Sequence, residues 1–286
     1  MISLISNGCK VMISKQGDSL KFQPGMIINN DKRSLSFDCG VSRSISYYLE
    51  WICVLALFGK TDLDIVFTGI TNDDIDISVD CLSNTIPKII EQFNLAARQV
   101  SIKVLRRGFR PNGQGAVQVH VSKINWLDNC CWMNEGLVKR VRGTCYASKA
   151  SVNIIGRVIA AARDIFNDYI PDVWIYSEYS KGAKGSVDPG YGLTLVGETN
   201  TGCNILADAC FNQFHEQESN SPEEIGKRAA MVLIDEIYNS GVVDTSSQSF
   251  LFTMMAISGG KPSVAKLGRV SAQGYSKFDE EFLRSA

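Results

Sequence analysis

Histidine is scarce: His120 and His215 are the only two among 286 residues. Neither lies near a cysteine at zinc-ligand spacing, so a structural zinc site is not expected. The nine cysteines (Cys9, Cys39, Cys53, Cys81, Cys130, Cys131, Cys145, Cys203 and Cys210) are scattered, odd in number and free of any C-x-x-C. That pattern excludes a disulfide scaffold and reads as free thiols packed as small apolar residues in a reducing compartment. Neither sign of charge dominates, with Lys+Arg 29 against Asp+Glu 30. Overall charge therefore does not call for nucleic acid, and any RNA contact must come from a local patch. Long apolar runs are missing too. The longest, residues 47–58, contains Glu50 and falls short of the ~18 residues a membrane span needs. The opening MISLISNGCKVMISK lacks a basic leader and alternates like a strand. A soluble intracellular chain with no membrane partner is expected.

What is present is an ordinary globular composition, 45% hydrophobic and 21% charged. The length is about twice the ~150-residue domain prior, which suggests two compact units. Alternation predicts strands at 10–13, 63–68, 100–106, 116–122, 138–145, 173–179, 192–198 and 204–210. Helical periodicity fits 40–58, 77–93, 152–169, 222–239 and 245–257, with a further turn or two near 277–283. Asp38 and Asp76 stand where caps of the first two helices belong. Ser221-Pro222-Glu223-Glu224 supplies a cap, a first-turn proline and two acids for the fourth. Helices alternating with strands and hairpin-like strand pairs give a mixed α/β fold of layers. Two strand–helix pairs, 10–13 with 40–58 and 65–68 with 77–93, repeat one theme. Joints fall at Arg142-Gly143 and Asn239-Ser240-Gly241, so the expected units are 1–143 with 241–286, and an insert at 144–240.

The most distinctive string is RRGFRPNGQGAVQV, Arg106 to Val119. It joins two strands, so it is a hairpin and not a phosphate-binding strand–loop–helix. Two readings stay open: a glycine-rich turn with solvated arginines, or an anion and RNA-phosphate contact by Arg106, Arg107 and Arg110. Lys103, Lys139, Arg140 and Arg142 extend the basic set, and the two segments are expected to pair as neighbouring strands. The run Asp73, Asp74, Asp76 and Asp80 could hold Mg²⁺ for a nuclease, or cap a helix and stay solvated. EF-hand spacing is absent. His120 and His215 read as a strand-face and a loop histidine, and Gln248 as a helix-surface amide.

RRGFRPNGQGAVQV resembles the R-G-x-x-P-x-G-G-G-E-V signature of the RNA 3′-terminal phosphate cyclase superfamily. FQPG, DCGVSRSISYYLE, GITNDDIDISVDCL, VKRVRGTCYASKAS, IPDVWIYSEYSKG, PGYGLTLVGET and EEIGKRAAMVLIDEIYNSGVVDTSSQSFLFTMMA resemble its cyclase-like branch, from near the start to about Leu283. The resemblance implies a cyclase-type fold of repeated strand–helix units with a smaller inserted α/β domain. It also implies a histidine near the C-terminus that attacks ATP and carries AMP. The matching stretch here, LGRVSAQGYSKFDEEFLRSA, places Tyr275 there. A neutral imidazole is a nucleophile near pH 7, whereas a phenol with pKa ~10 keeps its proton. The family's glycine-rich, Gln/Glu-containing nucleotide segment has no counterpart in this sequence, where the likeness starts part-way through that unit at LISNGCKVMI and stops short of the family's last strands. The D-Q pair of the family reads Ser247-Gln248 in DTSSQS.

The resemblance thus implies a non-cyclase ribosome-biogenesis factor, without catalytic residues, metal or cofactor. It would act in the nucleolar small-subunit processome, in 18S-type pre-rRNA processing, by binding a large nucleolar GTPase with pre-ribosomal RNA and proteins. Two rivals remain: a pre-rRNA endonuclease using the acidic run or Lys277, Asp279 and Glu280, and a residual RNA cyclase.

Overall fold

The computed structural model describes residues 1–28, 35–167, 169–180, 185–211 and 220–270. Its start forms α1 (Ile2–Ile5), β1 (Ser6–Asn7), β2 (Lys10–Ile13), β3 (Leu20–Gln23) and β4 (Met26–Ile27). β1 pairs with β4 and β2 with β3. Every residue of β2 and of β3 is exposed. The strand expected at 10–13 therefore exists, but it does not open the first strand–helix unit.

That role belongs to β5 (Leu35–Asp38), which leads into α2 (Ile45–Leu57) and β6 (Leu63–Gly69). α3 (Val79–Glu91), β7 (Val100–Arg106) and β8 (Gly115–Val121) follow. The sheet order is β5-β6-β8-β7, with β5 parallel to β6 and the other pairs antiparallel. Leu63, Ile65, Phe67, Val117, Val119 and Val121 point to one face and bury against Leu49, Ile52, Leu82, Ile86 and Ile90. Period two on the strands and 3.6 on the helices bring these apolar sets together.

The helix starts differ from those expected. α2 is N-capped by Ser44 rather than Asp38, whose carboxylate instead accepts the Gly40 N–H at 2.9 Å. α3 is capped by Ser78, whose hydroxyl accepts from Cys81 N–H. Asp76 serves the neighbouring helix: it accepts the Ser44 N–H at 2.9 Å and the Nε–Nη2 edge of Arg43. A carboxylate there also meets the positive end of α2.

After β9 (Cys131–Trp132) a second sheet forms from β10 (Val138–Ser148), β11 (Val173–Ser180), β12 (Gly190–Thr199) and β13 (Asn204–Cys210). Its order is β11-β10-β12-β13, with β10 and β11 parallel across the crossover helix α4 (Val152–Phe166). Gly143 and Thr144 lie inside β10. α4 and α5 (Pro222–Tyr238) cover one face, over Val141, Cys145, Leu193, Leu195, Ile205 and Ala207. Ser221 caps α5 by accepting the Glu224 N–H, as read from its sequence. Gly226 lets the two helices close: a β-carbon there would overlap the Val158 carbonyl.

The chain then returns. Val242, Val243, Phe250, Leu251 and Met254 join the first core. The expected helix at 245–257 opens as a 3-10 turn, Thr245–Ser247, and continues as α6 (Gln248–Ile257). β14 (Val264–Ala265) pairs with β9. The two sheets meet through α3, whose Cys81 packs on Val196 and Leu206 of the second sheet's other face. No helix among the described residues is long and apolar enough to cross a membrane. Seven of the nine cysteines are buried, and all nine are free. The turn expected near 277–283 lies outside the described residues.

Candidate functional site

The hairpin Arg106–Gly115 sits where the two sheets meet. Its loop is clasped from both sides by backbone contacts. Thr71 N–H donates to Gly108 O at 2.9 Å, and Gly108 N–H donates back to Thr71 Oγ1 at 3.1 Å. From the second sheet's side, Ser186 Oγ accepts Phe109 N–H, and Asp188 accepts Asn112 N–H at 2.9 Å. No side chain fits at Gly108, where a β-carbon would overlap Gly115 N and Gly113 O and lie 2.5 Å from Gly69 O. Gly108→Ala is expected to destabilise by about 1–3 kcal/mol, since crowded backbone has no rotamer to yield. Urea unfolding of the variant measures it.

Arg107 is the centre of the junction. It is 3% exposed and holds Asp80 of α3 and Glu178 of β11 at once. Nη1 and Nη2 reach Asp80 at 2.7 and 3.1 Å, and Nε and Nη2 reach Glu178 at 3.0 and 2.8 Å. Asn72 Oδ1 accepts a further bond at 3.1 Å, and the guanidinium lies 4.3 Å from the Tyr146 ring centroid. Burial pushes the Asp80 carboxyl up, but the charge and hydrogen bonds of Arg107, with the Asn72 amide, hold it below its usual value. Arg107 thus ties three segments together and is not open to an anion.

Asp73 and Asp76 of the acidic run are paired in the same way. Arg110 binds Asp73 at 3.0 Å and also donates to Val41 O and Ser42 O. Arg43 binds Asp76, whose carboxyl burial pushes up and Arg43 and Ser44 N–H bring below its usual value. Asp73, Asp76 and Asp80 therefore each face a different arginine. Among the described residues no three His, Cys, Asp or Glu side chains are placed to share a metal ion.

The basic residues do not gather as expected. β7 lies in the first sheet and β10 in the second, so Lys103 and Arg106 are not on a strand beside Lys139, Arg140 and Arg142. A parallel crossover claims the edge of β10 that the sequence pattern leaves open for β7. Arg140 pairs with Glu198, its register partner on β12, and Arg142 makes a two-pronged bridge to Asp172 at 2.9 Å. Lys103, Arg106 and Lys139 have no carboxylate partner among the described residues. Lys103 and Arg106 border a cleft of about 660 Å³ between β7 and the end of β11.

His120 sits on the outer face of the first sheet, 2.8 Å from Asp64 and 3.1 Å from Ser122 Oγ. Gln248 is fully buried, not on a helix surface, and donates to Arg269 O at 2.7 Å. His215, Tyr275, Lys277, Asp279 and Glu280 lie outside the described residues.

Two acids, half-buried Asp208 and buried Asp244, carry shifts that escape sequence reasoning. Burial pushes Asp208 up to about 6, although Ser78 N–H donates to it at 3.0 Å. Burial pushes Asp244 up to about 7, against its bonds from Ser247. Asp208 and the Asp73–Asp76 loop border a cavity of about 370 Å³ that Arg228 also lines. The one sign of Asp208 in the sequence is an acid inside an apolar strand, ILADAC. Such groups can exchange a proton near neutrality.

Comparison with known proteins agrees with this architecture. The family described as RNA 3′-terminal phosphate cyclase matches residues 1–280. The mouse RNA 3′-terminal phosphate cyclase-like protein is 36% identical over 284 residues, covering 99% of this chain and 74% of its own. A probable cyclase-like protein of Dictyostelium discoideum is 35% identical over 294 residues, covering 99% and 77%. The rRNA processing protein rcl1 of Schizosaccharomyces pombe is 32% identical over 260 residues, covering 90% and 69%. With its arginine-bearing hairpin seated between two four-stranded sheets, and with these relatives along nearly its whole length, the chain belongs to the RNA 3′-terminal phosphate cyclase family.

Proposed function

We propose that the protein is a non-cyclase ribosome-biogenesis factor that acts in rRNA processing. At finer grain, it works in the nucleolar small-subunit processome on 18S-type pre-rRNA and binds a large nucleolar GTPase there. The observation that carries the non-catalytic half is Tyr275, a phenol in the sequence position of the family's AMP-carrying imidazole. The name of the fission-yeast relative, an rRNA processing protein, supports the ribosomal half. Against the endonuclease reading stands the engagement of Asp73, Asp76 and Asp80 by three separate arginines. A guanidinium on a carboxylate occupies the lone pairs that a divalent ion would use.

Affinity purification of the tagged protein, with mass spectrometry of what it brings down, tests the reading. Pre-ribosomal proteins, small-subunit precursor RNA and a large GTPase are the expected catch. Their absence counts against it. Incubation with labelled ATP is expected to leave no covalent AMP on the protein, and an adduct would restore the cyclase reading.

A further inference from the structure

The second sheet presents two unlike halves on the face away from α4 and α5. α3 covers the β12–β13 half through Cys81, Val196 and Leu206. Arg107 and Phe109 cover Tyr146 at the end of β10, but among the described residues the rest of the β10–β11 half stays open, and there Trp174 and Tyr176 stand 55% and 59% exposed. Their ring centroids are 6.1 Å apart and tilted by 64°. Arg142 is the register partner of Trp174, and its guanidinium is fixed in place by Asp172. Two residues further along β11 comes Glu178, and then the cleft where Lys103 and Arg106 reach in from β7.

We propose that this track binds single-stranded RNA, with bases stacked on Trp174 and Tyr176 and phosphates held by Lys103 and Arg106. The proposal adds a contact surface to the rRNA-processing reading and rests on it only in the choice of RNA as the polymer.

The chemistry favours nucleic acid over a protein partner. The two aromatic rings are not part of an apolar patch: their neighbours on this face are Arg142, Thr144 and Glu178. A protein interface core wants contiguous apolar area, whereas base stacking wants isolated exposed rings on a polar floor. Charge points the same way. Asp172 and Glu198 are each paired with an arginine, and Arg107 shares its one charge between Asp80 and Glu178, so Lys103 and Arg106 bring two positive charges against one residual carboxylate charge. The Nε of Arg106 is buried with no hydrogen-bond partner. Residues two apart on a strand are separated by roughly 6.5 Å, so Trp174 to Ser180 spans about 20 Å, room for a few nucleotides.

The test uses the full chain and a fluorescein-labelled 12-nucleotide single-stranded RNA, read by anisotropy at low and moderate salt, beside the same RNA as a duplex. Single strands are expected to bind and duplex more weakly. The double variant Trp174→Ala, Tyr176→Ala should weaken single-strand binding by roughly tenfold to a hundredfold, while Trp174→Phe retains most of it. Lys103→Ala with Arg106→Ala should weaken it and flatten the salt dependence by about 1.4 units of slope. Both aromatics are exposed, so an unchanged thermal midpoint shows that the variants fold. No binding by the wild-type chain, equal binding by the aromatic double variant, or loss of a co-purified protein with RNA binding intact would each overturn the proposal. A failed co-purification of ribosomal components, with stacking intact, would strike at the rRNA-processing reading and leave the track standing.

Discussion

Arg107→Ala is expected to cost the fold about 3–5 kcal/mol, the range for removing one partner of a buried ion pair. The loss is not that of one contact. Removing the guanidinium leaves Asp80, in the first turn of α3, with only the Asn72 amide as a side-chain partner, and it frees Glu178 at the edge of the second sheet. Asp80 then meets desolvation that the Asn72 amide only partly offsets, whereas Glu178, 43% exposed, keeps its contact with water. Arg107→Lys should rescue little, because a point charge cannot donate to two carboxylates with fixed planar geometry and cannot lie as flat on the Tyr146 ring. Adding Asp80→Asn to Arg107→Ala should recover part of the loss, since the orphaned charge disappears. Urea denaturation of the single and double variants measures the coupling. An Arg107→Ala protein as stable as wild type would mean that the junction is not held by this network.

The second large effect concerns pH. Asp244 lies 2% exposed in the turn before α6, with Glu236 raising its carboxyl further beyond the push of burial. Its folded-state value, about 7, lies above the ordinary 3.8. The folded chain therefore holds this proton more tightly than the unfolded chain does. Between those two values the native state binds more protons, and stability falls as pH rises. Asp208, raised to about 6, acts in the same direction over a narrower window. Asp80 and Asp76 act oppositely: their values are lowered, so their contribution is present above 3.8 and is lost as pH falls through the depressed values. Stability should thus peak in mildly acidic solution.

Asp244→Asn keeps an acceptor for the Ser247 N–H and abolishes the cost of ionisation. The variant should match wild type near pH 4 and exceed it progressively toward pH 8, by an amount on the order of 4 kcal/mol for a shift of this size. Denaturation at pH 4, 6 and 8 measures the gap. A gap that does not widen with pH would show that Asp244 ionises freely.

Much of the secondary structure could be read from periodicity. α3, α4 and α5 and the longer strands fall close to their predicted places because each buries one face, and that face is written as a period of 3.6 or two. β3 and β5, four residues each, went unread although LKFQ and LSFD both alternate. The caps at Asp38 and Asp76 misled for another reason. A carboxylate near a helix start can satisfy any free N–H within reach, and Asp76 reaches the start of α2, 32 residues back, rather than its own helix.

The candidate site was legible as a string and illegible as an arrangement. RRGFRPNGQGAVQV announces a hairpin with three arginines, and the structure has that hairpin. Nothing in the string says that Arg107 turns inward to Glu178, 71 residues ahead, while Arg106 borders a cleft. Arg142 and Arg140 look equally available in sequence, yet each has its carboxylate across a strand or at the crossover.

By itself, then, the amino-acid order determined the mixed α/β class, the hairpin and the kinship, because local propensity, alternation and motif spacing are properties of neighbouring residues. Tertiary structure alone decided which charges are paired within the fold and which are not. That outcome depends on how two sheets approach one another, and on the low-dielectric junction they enclose, where a guanidinium is stable only with its carboxylates in contact.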